Sequence, residues 1–189
     1  MATMQLERNN LWEVTSRTIV YAAVGAALYA VLGLFSFLLP GTGNVDIRPA
    51  YAIVTFFGYA FGPFVGLFAG FVGNAVIDQF KGYGFLTYWN YSLANGVAGL
   101  IAGLAPLYLA SFINGPISRR AIGGAIASVV GTVIGFLLAF VDVVIGGSSV
   151  NAVLTDTYIP ILAADIIAVV ILVPILVYAW EPLKEQLGR

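Results

Sequence analysis

The sequence predicts an all-α integral membrane bundle of six transmembrane helices with both termini cytoplasmic. Three observations predict it. Of 189 residues, 60% are hydrophobic and only 9% charged, where soluble domains carry about 25% charged residues. The mean hydropathy is +0.97, so most of the surface must face hydrocarbon rather than water. Long uncharged runs recur between short polar connections, and at about 25–30 residues per spanning helix with its connection the chain holds about six. Residues 1–189 are read as a single transmembrane domain.

Thr18 to Leu39 carries no charge; its length of about 22 residues crosses about 30 Å of hydrocarbon at 1.5 Å per residue. The first helix is placed at about 14–39. Glu7, Arg8, Glu13 and Arg17 precede or open it, the apolar stretch outruns a signal-peptide core, and no small-residue cleavage site follows, so the helix is expected to be retained. Pro40-Gly41-Thr42-Gly43-Asn44 then stops it. Pro49 to Ile77 is again uncharged but is interrupted by Gly62-Pro63, which predicts two short helices at about 48–61 and 63–79. Asp78 to Asn90 mixes charge, glycine and aromatics, as suits a loop at the membrane interface. A fourth helix at about 91–112 is closed by Asn114-Gly115-Pro116, with Arg119 and Arg120 in water. A fifth at about 121–144 precedes the polar run Gly146-Gly147-Ser148-Ser149 and Asn151, and a sixth at about 157–180 stops at Trp180-Glu181-Pro182. No internal repeat of the inverted-repeat transporter kind is evident.

Orientation follows from the basic residues, which short loops retain on the cytoplasmic side. Six helices group Arg8, Arg17, Arg119, Arg120, Lys184 and Arg189 on the side of the termini, against Arg48 and Lys81 on the other, out of 8 basic residues. The outer face therefore carries the loops around 40–47, 80–90 and 145–156.

Absences bound the chemistry. With Cys 0 and His 0, disulfides, thiolate sites, the commonest metal ligand and the usual proton shuttle are missing. A net charge of -1 offers no basic surface for nucleic acid. No phosphate-binding Gly-X-X-X-X-Gly-Lys-Ser/Thr occurs, and neither Asp142 nor Asp165 stands in the Tyr-Asp or Gly-X-Gly-Asp context of an intramembrane aspartyl protease. No catalytic residue, cofactor or metal is expected. Active movement of a solute would draw on ion coupling or on another subunit's ATP hydrolysis.

Two groups of residues stand out. Ala22, Ala26 and Ala30 share one face of the first helix, and Ala23 and Ala27 share the next. Small side chains let helices approach closely where lipid supplies no hydrophobic drive, so either series packs inside this bundle or receives a partner helix. The second group is polar. Intramembrane charge costs about 2.5–3.5 kcal/mol at a helix centre, and Asp165 lies deep in the sixth helix, with Asp142, Asp78 and Asn74 near outer helix ends. Arg48 and Lys81 are the outer basic residues, beside Asp46 and Asp78, as headgroup anchors or as parts of a pocket. Tyr83, Tyr88, Trp89, Tyr91 and Trp180 suit an interfacial aromatic belt. Tyr88, Trp89, Asn90, Tyr91 and Asn95 also combine three rings with two amides, a pairing that recognises a flat hydrogen-bonding ring by stacking and by bonds to its edge. The expected pocket comprises Arg48, Asn74, Asp78, Trp89, Asn90, Tyr91, Asn95 and Asp142, with Asp165 contributing from below or bracing it.

Three stretches then carry a resemblance: Tyr21 through Ala30; Ile47 through Phe80, with Ala50-Tyr51-Ala52 and Phe61-Gly62-Pro63; and Trp89 through Leu104. The chain resembles the substrate-binding (S) components of energy-coupling-factor (ECF) vitamin transporters, in particular the riboflavin-transporter-like branch. The resemblance implies a high-affinity capture subunit in a prokaryotic plasma membrane. It would take a water-soluble vitamin or related small heteroaromatic metabolite, riboflavin-like as a first guess, from outside. Its partners would be a membrane coupling subunit (T component), met through the alanine face of the first helix, and two cytoplasmic ATPase subunits. Such relatives carry histidine and lysine where this chain has Asn74 and Ile77, and a Trp-Ser-Trp-like element where it has Trp89-Asn90-Tyr91; different donors select a different ligand. A non-transport membrane scaffold, or a stand-alone secondary transporter coupling protons through Asp165 and Asp142, are the alternative functions.

Overall fold

Thr15 opens the first helix, α1 (Ser16–Gly33): its hydroxyl accepts the Thr18 N–H while the Thr18 hydroxyl accepts the Thr15 N–H, so two orphan donors of the first turn are satisfied. The computed structural model describes residues 11–42 and 45–186; Glu7, Arg8, Gly43, Asn44 and Arg189 of the sequence reading lie outside them. α1 ends at Gly33 rather than near 39. The chain leaves it into a short strand, β1 (Phe37–Leu38), paired antiparallel with β2 (Asp46–Ile47), Phe37 opposite Ile47 and Leu38 opposite Asp46. An uncharged apolar run does not by itself distinguish the end of a helix from a strand.

The next two helices are α2 (Tyr51–Phe61) and α3 (Pro63–Phe80). Gly62 between them has φ 106°, a conformation costly for any residue with a Cβ, and Pro63 starts α3 where its missing N–H is harmless. α4 (Trp89–Gly103) begins two residues before the expected position and stops well short of 112. Beyond Leu104 the chain continues only as the turns Ala105–Tyr108 and Ala110–Ile113, since Pro106 cannot donate to a continuing ladder.

α5 (Ile117–Gly135) starts directly after Pro116, so Arg119 and Arg120 lie in its first turn and not in a connecting loop. It runs on as a 3-10 segment, Phe136–Phe140, and a helical turn, Val141–Val144. After a turn at Val150–Ala152 and a wide π-type segment, Val153–Tyr158, the last helix, α6 (Ile159–Gln186), passes straight through Pro182. There Arg120 Nη1 donates to Glu181 Oε2 at 2.5 Å, tying the end of α6 to the start of α5.

The described residues form an all-α bundle apart from the two-residue strands. α3 lies between α1 and α4, and α6 lies against α5. The α3–α4 contact is backbone to backbone: a Cβ on Gly66 would strike the Gly99 carbonyl, and one on Gly70 would strike that of Asn95, the close approach that small residues permit in lipid. Four helical stretches, Ser16–Gly33, Pro63–Phe80, Ile117–Val144 and Val150–Lys184, are long and apolar enough to cross a membrane. α2 and α4, with 11 and 15 residues, are shorter than the usual span of about 20.

Candidate functional site

At the end of the bundle that carries the hairpin, the helices part around a cavity of about 70 Å³ that widens to the surface. Its walls are mostly rings: Tyr29 from α1, Tyr51 from α2, Tyr83 and Tyr88 from the 81–88 connection, Tyr91 from α4, and Phe136. Set among them are Asp46, Arg48, Asp78, Asn95, Thr157 and Asp165, with Val45 and Ile161 completing the surface. Apolar walls with a few converging polar groups are the usual form of a small-molecule site.

A buried network fixes the inner wall. Arg48 Nη1 donates to Asn74 Oδ1 at 2.6 Å, and the Asn74 amide donates to Asp78 Oδ2 at 2.7 Å and to Ser92 Oγ at 3.1 Å. Tyr29 OH donates to Asn95 Oδ1 at 2.9 Å, and Asn95 Nδ2 donates to the Tyr91 carbonyl at 2.8 Å. Tyr51 OH and Thr132 Oγ1 are 2.9 Å apart. Polar groups that would be costly in an apolar interior are thereby satisfied, and the rings they carry are held in place.

Two further clusters brace the rim. Asn90 Nδ2 donates to Asp142 Oδ1 at 2.9 Å and Tyr91 OH to Asp142 Oδ2 at 2.6 Å, joining α4 to the segment beyond α5. Lys81 Nζ, just past the end of α3, donates to Asp46 Oδ2 at 2.7 Å and to the Ser36 hydroxyl. That contact holds the hairpin against the bundle. Arg48 Nε is 3.9 Å from the same Asp46 carboxylate, whose side chain is 2% exposed. Burial, and then the neighbouring Asp46 carboxylate, push the Tyr83 phenol above its ordinary pKa. Asp165 differs from its neighbours. It is 6% exposed and lines the cavity, yet it makes no hydrogen bond or ion pair to any described residue.

Of the residues expected from sequence, Arg48, Asp78, Tyr91, Asn95 and Asp165 lie on the cavity wall. Asn74 stands behind it, holding Arg48 and Asp78. Asn90 and Asp142 sit one layer out, where they position Tyr91. Trp89, expected to cover a ring face, stands at the first position of α4, is 39% exposed and is not part of the wall. Sequence reasoning missed Tyr29, Tyr51, Phe136 and Thr157, assigned Tyr83 to an interfacial belt, and placed Tyr88 in both the belt and the ring-and-amide stretch without including it in the expected pocket. The available signal was a phenol within an apolar helix, whose hydroxyl requires a buried partner.

The alanine ladders separate. Ala22, Ala26 and Ala30 are 2%, 6% and 7% exposed. They face the interior, where a Cβ on Gly73 would meet Tyr29 and the Ala26 carbonyl. Within the chain this face packs against α3. Ala23 and Ala27 are exposed, in a stripe with Ile19, Val20, Val24, Leu28 and Val31.

Over residues 13–181 the chain matches the family model described as ECF-type riboflavin transporter, S component. A UPF0397 protein of Vibrio atlanticus (strain LGP32) is 40% identical over 93 residues, covering 49% of this chain and 50% of its own length. UPF0397 proteins of Aliivibrio fischeri (strain MJ11) and Aliivibrio salmonicida (strain LFI1238) are each 39% identical over 94 residues, half of either chain. The chain thus spans about half the length of these curated relatives in the matched region. By the match across nearly its whole length, the chain belongs to the ECF-type riboflavin transporter S component family.

Proposed function

We propose that this protein is the substrate-capture subunit of an ECF-type importer in a prokaryotic plasma membrane, binding a small heteroaromatic, vitamin-like molecule. The observation that carries the reading is the ring-walled cavity at one end of the bundle, with Arg48, Asp78, Asn95 and the unpartnered Asp165 at its surface. In this reading Tyr29, Tyr51 and Tyr91 cover the faces of a ring while the amide and carboxyl groups bond to its edge. Asn74, Asn90 and Asp142 act by positioning those groups. Riboflavin is the substrate in the family's description and the first compound to test.

All six helices are taken to enter the membrane, the two short ones tilted or partly interfacial, with both termini cytoplasmic and the cavity facing outward. The charge distribution supports this orientation: Arg17, Arg119, Arg120 and Lys184 lie at the end opposite the cavity. Energy would come from two cytoplasmic ATPase subunits through a membrane coupling subunit. The exposed Ala23–Ala27 stripe is the surface of α1 left for that subunit.

Co-expression with a coupling subunit and two ATPases tests the reading. A co-purifying four-subunit complex with ATP-dependent uptake is expected. A chain that purifies alone and supports uptake without ATPases, or supports none in their presence, contradicts it.

A further inference from the structure

The charges around the cavity do not balance. Three carboxyl groups line it, Asp46, Asp78 and Asp165, against a single basic residue, Arg48. Lys81 reaches Asp46 from the rim at 2.7 Å, which leaves three carboxyls facing two cations. Both cations are engaged. Lys81 is held by Asp46 and Ser36, while Arg48 is held by Asn74, with its nearest carboxylate, Asp46, at 3.9 Å. Asp78 accepts a hydrogen bond from the Asn74 amide, and Asp165, which feels Arg48 only through space, accepts none.

A buried carboxyl group with no hydrogen-bond donor, sharing its one basic neighbour Arg48 with Asp46 and Asp78, is a costly arrangement for a protein to hold. Its position in the second turn of α6, inside the apolar stretch Val150–Lys184, makes it more so. Here the unpartnered group faces a space surrounded by electron-rich rings, Tyr29, Tyr51, Tyr83, Tyr88 and Tyr91. Phenol faces attract cations, most strongly where water is excluded. Carboxylate and rings together favour the same sign of charge on whatever enters.

We infer that the cavity selects a flat heteroaromatic molecule bearing a positive charge, with Asp165 as its counter-ion and the tyrosines as its cage. This rests on the capture reading and narrows it. A neutral flavin leaves the extra carboxyl unbalanced, and an anionic heteroaromatic acid adds to the excess.

Three pyridines of nearly the same shape test the inference without any mutation: 1-methylnicotinamide, a fixed cation; nicotinamide, neutral; and nicotinate, an anion. Each is titrated into the purified full chain by calorimetry, with riboflavin in parallel. The cation is expected to bind at least about tenfold more tightly than nicotinamide, and nicotinate to bind more weakly than either. In Asp165→Asn the cation's advantage should fall to within about threefold, and in Asp165→Glu it should largely persist. Equal or tighter binding of the neutral or anionic probe, retention of none of the three, or an undiminished cation preference in a folded Asp165→Asn overturns the inference. Tight riboflavin binding alongside such a result leaves the capture reading standing while removing the charge selectivity.

Discussion

Asn95 is the residue whose loss should be felt most sharply, because one side chain both accepts from Tyr29 OH and donates to the Tyr91 carbonyl. Removing a buried partner costs about 1–3 kcal/mol per bond. Asn95→Ala should therefore weaken ligand binding about 5- to 150-fold, read by titration of the purified protein. Trp89→Ala, by contrast, removes an exposed ring outside the wall and should change affinity less than about twofold. A large loss there would mean that the ring folds over the ligand. The polar half of the site was legible in the sequence, because amide and carboxyl groups in apolar segments are costly and demand a reason. The aromatic half was not. Tyr83 and Tyr88 suit a membrane belt equally well, and Tyr29 lies in a helix whose alanines drew the attention; only the tertiary arrangement brings five phenols around one space.

Helix α1 shows the same limit at the scale of an element. A spacing of four puts alanines on a common face, but it gives two such faces about 100° apart and does not say which one turns inward. Packing against α3 decides it, burying Ala22, Ala26 and Ala30 and leaving Ala23 and Ala27 outside. Ala27→Trp should accordingly abolish co-purification with a coupling subunit while leaving ligand affinity within about twofold of the wild type. Ala26→Trp should instead lower the yield of folded protein, since the side chain has to enter the α1–α3 contact. The hairpin gives a second test. Its link to the bundle runs through Lys81, Asp46 and Ser36, and Asp46 lines a cavity of only about 70 Å³, so a ligand larger than that space needs the hairpin to shift. Lys81→Met should speed ligand dissociation about tenfold or more in a stopped-flow chase, since it removes the short ion pair on the Asp46 carboxylate and leaves it only the longer contact with Arg48. An unchanged rate would show that the hairpin is held by other contacts. The strands themselves were not foreseen, since Leu34 to Leu39 reads as the tail of an apolar helix.

For the whole molecule, the helical class followed from composition and from the recurrence of uncharged runs, and the break at Gly62-Pro63 was marked by the two residue types that interrupt helices most strongly. The remaining boundaries moved where the sequence offered conflicting cues. Arg119 and Arg120 look like a loop but open α5, while Pro182 looks like a stop but sits inside α6. The central claim is that this bundle exists to hold one small molecule at the end opposite Arg120 and Glu181. Native mass spectrometry of the purified chain after saturation with the ligand that it carries from cells tests that claim most directly. The account predicts one small molecule per chain in the wild type and in Ala27→Trp, and its loss in Asn95→Ala. A wild-type chain that carries and retains no small molecule, or an Asn95→Ala chain that holds it as tightly as the wild type, would contradict it.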